Sequence, residues 1–158
     1  MLHRSTFRFV GIWILSGIAA MGCGNQRSDV SSNNGWVHEC PGDAFCFSRP
    51  GTLVAQPGQI IDSLAARYRS DALTLTFDMG QYATSVEHLS QATQEPTTID
   101  GRSARLLIAD REIVLIVPKV HDSGRFTVQF TMVLRFEGKA SRTLAERIFQ
   151  SIEFKPPR

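Results

Sequence analysis

Arg125-Phe-Thr-Val-Gln-Phe-Thr-Met-Val-Leu-Arg-Phe136 sets Phe126, Val128, Phe130, Met132, Leu134 and Phe136 in alternation with mainly polar neighbours. A period of two belongs to a chain whose successive side chains point to opposite faces, so the stretch predicts a long β-strand with one dry and one wet face. Upstream, Asp122-Ser123-Gly124 reads as a turn, and Glu112-Ile-Val-Leu-Ile-Val-Pro118 as an apolar run of strand length that proline ends. The two runs predict an antiparallel hairpin. Arg105-Leu-Leu-Ile-Ala109 extends it across the charged turn Asp110-Arg111 into a three-strand meander.

Further upstream, Leu73, Leu75 and Phe77 alternate with Thr74, Thr76 and Asp78 after the turn Arg69-Ser-Asp-Ala72, which predicts another half-buried strand. Its partner reads two ways. Ile60, Leu64, Ala66 and Tyr68 fit a strand ending at that turn, whereas Ile60, Ile61, Leu64, Ala65 and Tyr68 fit one face of a helix. The short turn favours the strand. At the far end Ser141 caps a segment in which Leu144, Ile148 and Phe149 share a face, an amphipathic helix of about three turns. Ile152 and Phe154 then flank Glu153 in a short closing strand. A second, shorter helix is expected between Gly80 and Pro96, where Tyr82, Val86 and Leu89 recur at helical spacing. The elements together predict an α+β fold, an antiparallel β-sheet flanked by helices, in one globular domain over residues 36–158.

The amino-terminal part has a different character. His3, Arg4 and Arg8 precede the apolar run Phe9–Met21, whose thirteen residues fall short of the roughly 20 that a spanning helix needs. A positive start, a short apolar centre and small residues after it describe a secretory signal over residues 1–22. Ala20-Met21-Gly22-Cys23 resembles the lipobox of bacterial lipoproteins, with alanine where leucine usually stands. The resemblance implies a diacylglycerol on Cys23, which would become the new first residue; ordinary cleavage after Gly22 leaves a thiol and a secreted or periplasmic protein. Residues 23–35 are polar and predict a flexible tether. Gly24 is not the aspartate associated with inner-membrane retention, so the periplasmic side of the outer membrane is the expected location.

Three cysteines are an odd number for an exported chain. Lipidation of Cys23 leaves Cys40 and Cys46, with the turn signal Pro41-Gly42 between them, and a disulfide is the default outcome in an oxidising compartment. His38, Cys40 and Cys46 also make a set of three soft ligands for zinc or copper, although their spacing is not a Cys-x-x-Cys pattern. The disulfide is the preferred reading, with no metal expected.

Of 17 Lys+Arg against 15 Asp+Glu, the two excess charges are Arg4 and Arg8, so the rest of the chain balances at 15 against 15. A neutral domain lacks the electrostatic footprint of a nucleic-acid binder, and no nucleic-acid partner is expected.

Phe47-Ser48-Arg49-Pro50 opening the domain and Ala145-Glu-Arg-Ile-Phe-Gln-Ser-Ile-Glu-Phe154 closing it resemble the PsbP-like superfamily over roughly residues 44–155. That resemblance implies an α/β/α sandwich, an antiparallel sheet with helices on its faces. It carries no functional residue over to this chain.

Enzyme signatures are absent from the sequence: no Gly-x-Ser-x-Gly elbow, no phosphate-binding glycine loop, no His-Glu-x-x-His and no dinucleotide fingerprint. The adjacent His121, Asp122 and Ser123 are better explained by a turn than by a triad, and Asp78 with Asp100 make a carboxylate pair only if the fold joins them. His88 reads as a solvated imidazole. No cofactor is expected. Asp78, Gly80 and Tyr82, at the mouth of the long connection to Pro96, are the candidate binding surface. The expected role is that of a membrane-anchored envelope lipoprotein, a noncatalytic protein-binding or assembly-accessory module with a lipid anchor and an envelope protein partner. The alternative is a periplasmic carrier of a small hydrophobic ligand held between helices and sheet.

Overall fold

A computed structural model describes residues 35–58, 63–81, 86–122 and 124–156; Cys23, Tyr82, Ser123, the leader and nearly all of the tether lie outside the described residues. The strands are β1 (Trp36–Glu39), β2 (Phe45–Pro50), β3 (Val54–Gln56), β4 (Leu64–Arg69), β5 (Leu73–Gly80), β6 (Thr93–Ile99), β7 (Arg102–Ile108), β8 (Glu112–Asp122) and β9 (Thr127–Phe136). The helix α1 (Arg142–Gln150) and the short β10 (Glu153–Phe154) follow.

Seven strands form one antiparallel sheet in the order β3-β4-β5-β9-β8-β7-β6, and β1-β2-β10 form a second, small one. The large sheet is two meanders, β3-β4-β5 and β6-β7-β8-β9, joined where β9 lies beside β5. The alternation that predicted the long strand recurs in the pairing: Leu73, Leu75, Phe77 and Met79 on β5 face Phe136, Leu134, Met132 and Phe130 on β9. With Ile113, Leu115 and Val117 of β8 they make the dry face. Phe45 and Phe47 of β2 and Ala145, Ile148 and Phe149 of α1 cover it. Phe45 packs edge-on against Phe77 at 5.0 Å and Phe130 at 4.9 Å between ring centres, the separation at which ring edges meet ring faces.

The predicted meander β7-β8-β9 forms, and Leu64, Ala66 and Tyr68 lie on a strand paired with β5. Asp100 (φ 48°) and Gly101 (φ 73°) are the two left-handed residues of a tight β6-β7 turn between the paired Ile99 and Arg102. Ser141 caps α1, its hydroxyl accepting from the Leu144 amide at 3.3 Å. Pro118 does not end its strand, as the sequence reading expected. The chain runs on to Asp122 because the register with β9 shifts between Val117 and His121, and the proline sits inside that irregularity.

The expected α+β sandwich, a sheet flanked by helices on the PsbP-like α/β/α plan, is not what the chain builds. Strand accounts for 57% of the described residues, and α1 is the one α-helix among them, so the fold is mainly β. Two local causes explain the difference. The second helix expected between Gly80 and Pro96 is replaced, among the described residues, by a single 3-10 turn at Glu87–Leu89 followed by β6. The four β-branched residues of Thr93-Gln-Glu-Pro-Thr-Thr-Ile99 favour strand, and Pro96 is accommodated because β6 is an edge, with β7 as its one neighbour among the described strands. The second cover of the dry face is the small sheet, carried by Phe45 and Phe47, rather than a helix.

Candidate binding groove

Side chains opposite one another across an antiparallel ladder share a face, so the pairings fix what the other side of the large sheet displays. Arg67 pairs with Thr76 and Arg69 with Thr74, which in turn faces Arg135; Arg135 faces Glu112 on β8. These residues, with Val133, form the floor of a shallow groove of about 390 Å³, walled by Val86 and His88 of the segment that follows β5. That segment stays on the sheet because Leu89 is buried against Leu107, Val114 and Ile116, a small second core on the otherwise wet face.

Glu112 is the groove's one acid, buried at its base. Arg135 donates to its Oε2 from Nη2 at 2.9 Å and Nε at 3.1 Å, and His88 Nε2 lies 3.2 Å from Oε1. His88 is therefore tied to the sheet by this contact, while its side chain stays 54% exposed to solvent. Both oxygens of the carboxylate are engaged, one by Arg135 and one by His88, whereas Arg67 and Arg69 make no ion pair among the described residues. Three guanidinium groups against one carboxylate leave a surplus of positive charge on a domain that is neutral overall. The threonine hydroxyls of Thr74 and Thr76 add donors between the arginines.

A second depression of about 520 Å³ lies beyond the crossing segment, with Asp110, Lys139 and Arg142 on its rim. Its charge is largely internal, since Arg142 is taken up by Glu95 at 2.6 Å and Glu146 at 2.6 Å. The first groove is the one that sets two arginines without an ion pair, among the described residues, side by side.

No family model, curated protein or solved structure matches the chain. The site is therefore read from its own chemistry.

Of the residues singled out in the sequence, Asp78 and Gly80 lie on the same face as the groove, opposite Thr131 and Gln129, with Asp78 two residues along β5 from Thr76. Tyr82 falls outside the described residues. Asp78 and Asp100 are not brought together: Asp100 turns to the covering layer, where its Oδ2 accepts from the Phe154 amide at 3.0 Å and pairs with Arg102. Asp122 is engaged by Lys119 at 2.6 Å and by the Gly124 amide at 2.9 Å; these contacts hold its carboxyl below the usual carboxylate range. These contacts are turn chemistry, and Ser123 lies outside the described residues.

Cys40 and Cys46 are joined by a disulfide across the loop between β1 and β2, which turns through Gly42 and Asp43, both at φ 55°. His38 stands beside it, Nδ1 at 3.3 Å from Ser48 Oγ and Nε2 at 3.9 Å from Cys40 Sγ.

The groove arginines escaped the sequence reading, although a signal for them existed. Arg67, Arg69, Thr74, Thr76 and Arg135 all occupy the polar phase of their strands. What no local pattern contains is that β5 and β9 are neighbours, which converts three scattered arginines into one cluster.

Proposed function

We propose that this chain is a membrane-anchored envelope lipoprotein whose tethered domain is a noncatalytic binding module, and that it receives an acidic segment of an envelope protein in the arginine groove. The observation that carries the reading is the pair Arg67 and Arg69, without an ion pair among the described residues, set beside Arg135 on an open sheet face. Arginine presents a planar fork that matches a carboxylate in two parallel hydrogen bonds, so Arg67 and Arg69, with the charge of Arg135 beside them, suit carboxylates spaced along an extended chain. The openness of the groove favours a polymer segment over an enclosed small molecule. The carrier reading draws less support, because Phe45, Phe47, Phe77 and Phe130 fill the space between the covering layer and the sheet. The lipid anchor rests on the lipobox-like Ala20-Met21-Gly22-Cys23.

Site-specific photocrosslinking from Thr74, in cells that make the full chain, tests the groove. The expected result is one adduct whose yield falls at least about tenfold in Arg67→Glu with Arg69→Glu, as loss of two charge-assisted contacts implies. Equal yield from the charge-reversed protein would overturn the reading. For the anchor, metabolic labelling with a radioactive fatty acid should mark the wild-type protein and spare Cys23→Ala.

A further inference from the structure

The ligand atoms of His38, Cys40 and Cys46 lie within 4.8 Å of one another at the end of the β1-β2 hairpin. The disulfide occupies both sulfurs, and a disulfide sulfur is a poor metal donor; the thiolate is the ligand. We propose that this clip has a second state, in which the reduced pair and His38 bind a single Cu(I) ion.

Three features of the fold build that site. His38 lies opposite Ser48 in the β1-β2 register, and the contact between its Nδ1 and the serine hydroxyl sets the ring so that Nε2 points to the sulfurs. Holding the second ring nitrogen is what orients metal-binding imidazoles generally. The 3.9 Å from Nε2 to Cys40 Sγ is close to the spacing of two donors sharing one ion through bonds of about 2.0 to 2.3 Å. Cys46 is buried and fixed in β2, whereas Cys40 belongs to the loop and can swing the short distance that opens the pair.

Two thiolates and one imidazole are soft donors in a set of three, which suits Cu(I); structural zinc sites demand a fourth protein ligand that is not part of this cluster. The exchange balances with a dithiol reductant. Its thiolate attacks one sulfur of the clip, the Cys40–Cys46 bond breaks, and its second thiol resolves the mixed disulfide, leaving an oxidised reductant and two cysteine thiols. Cu(I) then displaces the two thiol protons and keeps its oxidation state. The disulfide and the metal are alternatives at one place, so copper uptake depends on redox state.

The test uses the full chain carrying Cys23→Ser, so that the third cysteine adds no thiolate. Reduced and oxidised protein are titrated anaerobically with Cu(I) against a chromogenic chelator, while far-ultraviolet circular dichroism follows the strand signal. The expected result is one Cu(I) per reduced chain, none on the oxidised chain, and two sulfurs with one nitrogen by X-ray absorption. Ser48→Ala, which leaves all three ligands in place, should weaken binding about tenfold, and His38→Ala more than that. Equal uptake by the two redox forms, unchanged affinity in both variants, or loss of the strand signal on reduction would each overturn the proposal.

Discussion

Arg49 is buried on β2 and spreads both edges of its guanidinium over Glu39, Nε to Oε2 at 2.8 Å and Nη2 to Oε1 at 2.9 Å. Its Nη1 donates to the carbonyl oxygen of Leu53 and, at 3.4 Å, to that of Pro50, and the ring centre of Tyr68 lies 4.7 Å from the guanidinium carbon. Burial by itself would push the Glu39 carboxyl up. The Arg49 hydrogen bonds and charge, helped by the Tyr68 hydroxyl, outweigh it and hold Glu39 below its ordinary value of 4.5. Burial and the same carboxylate push the Tyr68 hydroxyl up, so it stays protonated. A carboxyl depressed in the folded state adds stability that is complete above its unfolded value and is lost as pH falls through the folded one. Acid titration of wild type should therefore show a loss of stability below about pH 4.5 that is absent from Glu39→Gln. At neutral pH, Glu39→Ala should cost about 3 kcal/mol in urea denaturation, because it strands a buried guanidinium. A far smaller loss would mean that water reaches Arg49.

Elements differ in how openly their sequences declare them. β9 and β5 announce themselves because each has one dry face, so hydrophobic alternation records the pleat directly. β6 does not. Most of its residues are exposed, on an edge, and its threonines, glutamine and proline look like a loop. β1 and β2 are hidden for another reason: Cys46 and Arg49 are buried alongside Phe45 and Phe47, so the alternation breaks over a six-residue strand. The helix was legible through its cap and its apolar face, and the groove was not, since it depends on which strands touch. Two predictions belong here. Ser141→Ala removes the side-chain acceptor for the Leu144 amide and should lower stability by about 1 kcal/mol, with helical signal lost first. Trp36→Ala removes the ring that Arg147 of α1 covers at 3.9 Å and should speed amide exchange in β1 without touching β7-β8.

At the scale of the whole molecule, one core is shared by the seven-stranded sheet, the small sheet and α1. Phe130 sits at its centre, fully buried and in contact with Phe45, Phe77 and Phe154. Phe130→Ala should therefore cost about 3 to 5 kcal/mol and loosen both layers in one cooperative transition, measurable by calorimetry. Breaking the Cys40–Cys46 ring, which spans a sequence separation of 6, should cost only about 2 kcal/mol, since so short a loop restricts the unfolded chain little.

Pro96 has a role beyond its own strand. β6 is seven residues of extended backbone with one flank unpaired among the described strands, the kind of rim on which a second molecule can crystallise strand upon strand. Opposite Arg105 of β7, the proline ring takes the place of an amide hydrogen in the middle of that flank and interrupts any continuous lateral ladder. Pro96→Val would restore the missing donor in a strand with four β-branched residues, and light scattering should then reveal concentration-dependent fibre growth that the native sequence suppresses.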